Sequence, residues 1–395
     1  MSQASLHPRQ AGKAQLTSET LEHTHDRNPT LSRSTSPSMA VETSARKDGS
    51  GQVSYRNSSR GYLFSPLVDC LFIANVLWPL LWFVDWAGGL EAHEGILFWQ
   101  IFFVTAPHRW ITIAVVSVDH HRSDDRRWLF ASLAVVILAV CLCIQFGTGS
   151  LLCLGVVDYA WNAWHFSSQH HGVFRIYQRN GLVQESTWKG RLHKIAFRVF
   201  LLYVIARVAG LGWNDFAEPI NESLATHVGA SGPFVVADIL LMLIPIYLVA
   251  LEWTRWGIGK TAKIASVVYL TSVMGLFASM LLAAHFQRSQ SVIQLAVASA
   301  IFHSVEYLSI VTWSVRKSVA SPQSNVLKRL SETWFLFLFV FVAVIGVGNY
   351  LLSQGLFQFW VTVNLIVAFW HYCFDGMIWK RRPNSSKGSP ITSAP

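Results

Sequence analysis

The sequence predicts an all-α, polytopic membrane helix bundle, and three observations carry that prediction. Apolar residues make up 52% of the 395 positions while charged residues make up 13%, the balance of a chain that lives in lipid. Apolar runs of about 20 residues, enough to cross roughly 30 Å at 1.5 Å per residue, recur about ten times. Lys and Arg fall almost entirely on alternate connections between those runs, the asymmetry that orients membrane proteins.

The ten transmembrane helices read as 62–85, 95–118, 127–146, 149–171, 192–211, 233–252, 262–285, 291–315, 332–352 and 356–379. The connections 119–126, 172–191, 253–261 and 316–331, with their flanking helix ends, hold 15 Lys and Arg, whereas the opposite connections hold one, Arg288. Residues 1–60 carry eight more, and the last segment carries Lys380, Arg381, Arg382 and Lys387. Both termini are therefore expected on the cytoplasmic side of the cell membrane. Residues 1–60, rich in Ser, Thr, Arg and Gln, read as a disordered cytoplasmic tail, 61–380 as the transmembrane helical domain, and 381–395 as a second disordered tail. The net charge of +9 belongs to this topology signal and implies no nucleic-acid partner. All five cysteines fall inside predicted helices, and no disulfide framework is suggested.

Four of these helices carry a histidine at nearly the same depth. His108 lies on the second, His165 on the fourth, His303 on the eighth and His371 on the tenth. These four helices run in the same direction, and counting at 1.5 Å per residue puts each histidine roughly 18–24 Å from its starting end. An ionisable group in the hydrocarbon layer is costly, so it is functional by default, and burial keeps imidazole in its neutral, metal-binding form. Polar companions share their faces. Asp158, Asn162, His165 and Gln169 stand at i, i+4, i+7 and i+11, within an arc of about 60°. His303 and Glu306 form an i, i+3 pair, and Asn364, His371 and Asp375 repeat the spacing on the tenth helix. Two ligands a turn apart can reach one ion, or one can ligate while the other orients its imidazole. His120–His121, beside Asp119, and His170–His171 add paired histidines at two helix ends, candidates for the same ion or a second one. Pro107, directly before His108, is expected to disfavour helix at Ala106. Arg109 reads either as an anchor for an anionic group or as the partner of Asp158 or Glu306. His93, His193, His227 and His285 read as surface residues at loops and outer edges.

The motifs HFSSQHH, DHH and H-x3-D on membrane helices resemble the histidine boxes of integral-membrane fatty-acid desaturases and hydroxylases, in which histidines near the cytoplasmic face hold two irons. The single membrane-embedded histidines also resemble the bacterial carotene-cleaving oxygenases, polytopic proteins with one iron on four histidines. Either resemblance implies iron and an apolar substrate.

The expectation from residues and resemblance together is a metal-dependent oxidoreductase, with non-haem iron favoured where His and carboxylate mix at a partly open site. It would act with O2 on a lipid or isoprenoid that enters from the membrane. In this reading His108, His165, His170, His171, His120, His121, His303, His371 and Asp375 are the metal candidates, while Asp158, Asn162 and Glu306 serve the chemistry. Membrane lipids and a cytoplasmic electron donor are the expected partners. Rival readings are another transition metal, a haem-binding electron carrier with axial histidines, and a metal or proton transporter that uses the polar stripes as a relay.

Overall fold

The structure is a computed structural model that describes residues 61–118, 127–180, 187–213, 232–257, 264–318 and 332–379. Both tails of the sequence analysis, and the pair His120–His121 with Asp119, lie outside the described residues. Long helices make up most of the described chain: α1 (Trp78–Trp99), α2 (Ala106–Val118), α3 (Arg127–Thr148), α4 (Leu152–Asn180), α5 (Thr187–Val208), α6 (Gly232–Gly257), α7 (Ile264–His285), α8 (Ser289–Ser318), α9 (Trp334–Gly355) and α10 (Phe357–Ile378). A helical turn over Pro66–Ile73 precedes α1. Six of these helices are long and apolar enough to cross a membrane, or seven if the bent pair formed by Pro66–Ile73 and Trp78–Ser117 counts as one crossing. The protein is an all-α membrane helix bundle.

α4 and α5 are not among those six, and their residues say why. α4 carries Asp158, Asn162 and six polar or imidazole groups over 165–171, while α5 carries Lys189, Arg191, Lys194, Arg198 and Arg207. A helix that builds a polar site loses the uniform apolarity by which a crossing is recognised.

The large apolar side chains sort by what they face. α7 and α8 are mostly buried, and Tyr269, Leu270, Phe277 and Phe302 from them join Tyr177, Phe197 and Phe200 in one core. α3 and α9 present the opposite surface, with Trp128, Phe335, Leu336 and Phe339 more than 60% exposed. A run of bare aromatic and aliphatic surface of that extent is stable against lipid, not water.

Two local features depart from the expected segmentation. The first two predicted helices meet in a nearly continuous helical run that breaks at Gly89, where φ is 64° and ψ is −151°. Only glycine occupies that region without strain. The Asp85 carboxylate and His93 Nδ1, 2.9 Å apart across the break, clamp the bend. Ala106 is also helical, with φ −62° and ψ −53°, although a proline follows it. The chain reaches Pro107 through a π-turn over Gln100–Thr105, whose wider spacing takes up the backbone that a proline ring would otherwise meet one turn back. His108 therefore enters the bundle on an intact helix.

Candidate metal centre

Packing among α2, α4, α8 and α10 sets the site. α10 packs on α2 and on α4, and α8 does the same from the other side, so the four form a closed circuit α2–α8–α4–α10. Their histidines follow that order. Ring centres are 5.0 Å apart for His108 and His303, 5.1 Å for His303 and His165, 4.7 Å for His165 and His371, and 4.6 Å for His371 and His108. Each ring meets the next at 73–86°, edge to face. None of the four is more than 6% exposed. Nitrogens of His108, His165 and His303 lie within 4.8 Å of one another, and His371 Nε2 is 3.1 Å from His165 Nε2.

Hydrogen bonds decide which nitrogens carry protons. Trp379 Nε1 donates to Asp375 Oδ1 at 2.5 Å and the Tyr307 hydroxyl donates to the same oxygen at 2.7 Å. The Tyr307 oxygen, 2.7 Å from Thr112 Oγ1, is thereby left to accept, so Thr112 donates its one hydroxyl proton there. Thr112 can then only accept from His371 Nδ1 at 2.6 Å. His371 is consequently protonated on Nδ1, with the lone pair of Nε2 directed toward His165. His108 reaches the same state more simply, because its Nδ1 lies 3.1 Å from the Thr105 carbonyl, which accepts only. His108 Nε2 and both ring nitrogens of His303 are buried with no hydrogen-bond partner. Burying such groups unpartnered costs about 1–3 kcal/mol each, and lone pairs that converge unpartnered are what a metal ion satisfies.

The donor set fits a transition metal. Two imidazole nitrogens bound at 2.0–2.1 Å stand about 2.9–3.4 Å apart for angles between a right angle and tetrahedral, and the 3.1 Å between His165 and His371 falls in that interval. Four neutral nitrogens suit zinc, copper, iron or nickel.

The other candidates occupy a ring around this centre. His170 sits 5.7 Å from His303, and its Nδ1 donates to Glu306 Oε2 at 2.9 Å. Glu306 is fully buried and also accepts from Gln169 at 3.2 Å and from the Tyr269 hydroxyl at 2.9 Å. It holds side chains in place and is committed to three side-chain donors. Asp375 likewise serves Tyr307 and Trp379, with its other oxygen 3.9 Å from His165 Nδ1. Asp158 accepts from the Tyr372 hydroxyl at 3.0 Å, and the Tyr372 ring lies 5.1 Å from that of His165. Asn162 stands half-buried one turn before His165. His171 turns to α5, with its ring edge-on to Phe197. Asn364 bonds Asn349 of α9 at 3.0 Å.

Three histidines read as surface residues have partners that the sequence does not reveal. His93 pairs with Asp85, His193 is buried near Tyr247, and His285 Nδ1 lies 3.0 Å from Asp238. His193 and His285 meet groups that folding brings from another helix, whereas His93 reaches Asp85 on its own helix only because the chain breaks at Gly89 between them. His227 lies outside the described residues.

Thr112 and Tyr307 were missed, yet a signal exists. Each of the four central histidines has a polar residue four positions later: Thr112, Gln169, Tyr307 and Asp375. That spacing puts histidine and partner on one face.

Against known protein families, curated proteins and solved structures, the chain matches none.

Proposed function

We propose that the protein is an integral-membrane, metal-dependent oxidoreductase, with non-haem iron at the four-histidine centre, acting on a lipid or isoprenoid. The observation that carries this reading is the convergence of His108, His165, His303 and His371 with lone pairs oriented by Thr112 and by the Thr105 carbonyl. An all-imidazole donor set accepts iron(II) among other metals, and the histidine-box motifs favour iron within that group. Iron there would supply O2-dependent oxidation.

The chain's own residues do the rest. Thr112, Tyr307 and Asp375 hold His371, and Glu306 holds His170. Tyr372 and Asp158 place a polar pair beside His165. The hydrophobic shell of the bundle limits water around the centre, and an apolar substrate reaches it from the bilayer. In the same reading all ten helical segments cross the cell membrane, both termini are cytoplasmic, and electrons come from a separate cytoplasmic donor.

Elemental analysis with an optical spectrum on detergent-purified protein tests the reading. The expected result is about one iron per chain and no intense haem band. Absence of any stoichiometric transition metal after iron supplementation would overturn it, as would a haem spectrum.

A further inference from the structure

A membrane protein that holds an arginine among apolar helices surrounds the guanidinium with partners, and this chain does so twice. Arg207 on α5 gives Nε and Nη2 to both oxygens of Asp238 at 3.0 and 2.9 Å, donates to the Leu211 carbonyl and lies over the Phe234 ring. Arg198 donates to Ser168 at 3.0 Å, with its guanidinium 4.5 Å from the Trp164 ring centre.

Arg109 is built differently. It is half-buried on α2, its Nε, like that of Arg198, is sealed without a hydrogen bond, and among the described residues its guanidinium makes no hydrogen bond or ion pair at all. The carboxylates that the sequence offered it are engaged elsewhere, Asp158 with Tyr372 and Glu306 with His170, Gln169 and Tyr269. Its charge nevertheless acts on His108, His165, His371, Asp158 and Tyr372. A permanent cation thus stands beside the histidine centre without a hydrogen-bonded or ion-paired partner among the described residues, Asp158 being a carboxylate that its charge reaches without contact. It also lies nine residues before the end of α2 at Val118, which at 1.5 Å per residue is about 14 Å along the helix.

We propose that Arg109 anchors the carboxylate of a long-chain amphiphile whose head lies beside the four-histidine centre. This names the substrate class for the oxidoreductase reading and rests on it. The guanidinium fork matches a carboxylate in a bidentate, charge-assisted pair, and it tolerates desolvation better than an ammonium does. An anion that reaches this depth must arrive through lipid, so it must be attached to a predominantly apolar body. Trp161 and Trp164 on α4, 38% and 49% exposed, offer aromatic surface toward the bilayer for that body. A phosphate headgroup, more highly charged and more strongly hydrated, stays at the interface.

The test is equilibrium binding of radiolabelled oleate, oleyl alcohol and oleoyl lysophosphatidate to the purified full-length protein in neutral detergent, with metal content measured on the same samples. Losing one partner of a desolvated charge pair typically weakens binding by about 30-fold or more. Wild type should therefore bind oleate at least about 30-fold more tightly than the alcohol. Arg109→Met should lose that preference while keeping its metal, and Arg109→Lys, which keeps the charge, should retain most of it. Equal binding of acid and alcohol to wild type, an unchanged preference in Arg109→Met, or tighter binding of lysophosphatidate overturns the assignment. The wild-type comparison needs no variant and decides the matter even if Arg109→Met does not fold. Metal without the preference removes the anchor alone, whereas the preference without metal keeps the anchor and removes the oxidoreductase reading.

Discussion

Thr112→Val removes one hydroxyl from the bundle and little volume, so its consequences can be worked from two hydrogen bonds. His371 Nδ1 loses its acceptor at 2.6 Å, and the Tyr307 oxygen loses its donor at 2.7 Å. Tyr307 still donates to Asp375, so the larger loss falls on the buried N–H of His371. An unpartnered buried donor costs about 1–3 kcal/mol. His371 can avoid that cost only by turning or by moving its proton to Nε2, and either change takes the lone pair away from the centre. At about 1.4 kcal/mol per factor of ten, the metal should bind about 10–100-fold more weakly, the range found when the group orienting a metal-bound histidine is removed. Competition against a chelator of known affinity measures this on purified protein. Thr112→Ser, which restores the hydroxyl, should return to within about threefold of wild type, the usual spread of such contributions. If Thr112→Val holds metal as tightly as wild type, the hydrogen-bond chain does not orient His371 for ligation, and the tautomer argument fails.

Replacing His165 or His371 by Ala should lower bound metal at least about tenfold, while His285→Ala, which removes only one of three side chains on Asp238, should leave metal content unchanged; elemental analysis of the three variants checks both. Asp238→Asn breaks the ion pair with Arg207 at 2.9 Å and leaves a buried guanidinium without its counter-charge, so thermal unfolding in detergent should show a loss of about 3–5 kcal/mol with the centre intact. Reporter fusions at 88–92 and 213–230 should read as external, and fusions at 182–186 and at the C-terminus as cytoplasmic; a cytoplasmic signal from either of the first two sites breaks the ten-crossing topology.

Hydropathy and helical spacing in the sequence alone located the helices from α3 onward to within about five residues of their observed ends, except that α4 runs on to Asn180 past the expected end at 171, because apolarity and the 3.6-residue period are local properties of a chain in lipid. They also singled out the four helices that build the centre. The i, i+4 companions Gln169 and Asp375 were legible as well, and the same spacing, read from His108 and His303, would have placed Thr112 and Tyr307, since one helix suffices. What each companion touches was not. Thr112 holds the histidine of α10, not the one on its own helix, and Glu306 serves His170 instead of the centre. The break at Gly89 and the π-turn before Pro107 likewise depend on what the surrounding helices accommodate. Only tertiary structure sets these, because helices in a bilayer are as apolar toward lipid as toward one another. The circuit α2–α8–α4–α10, and with it the gathering of four imidazoles at one level of the bundle, follows from which faces pack together.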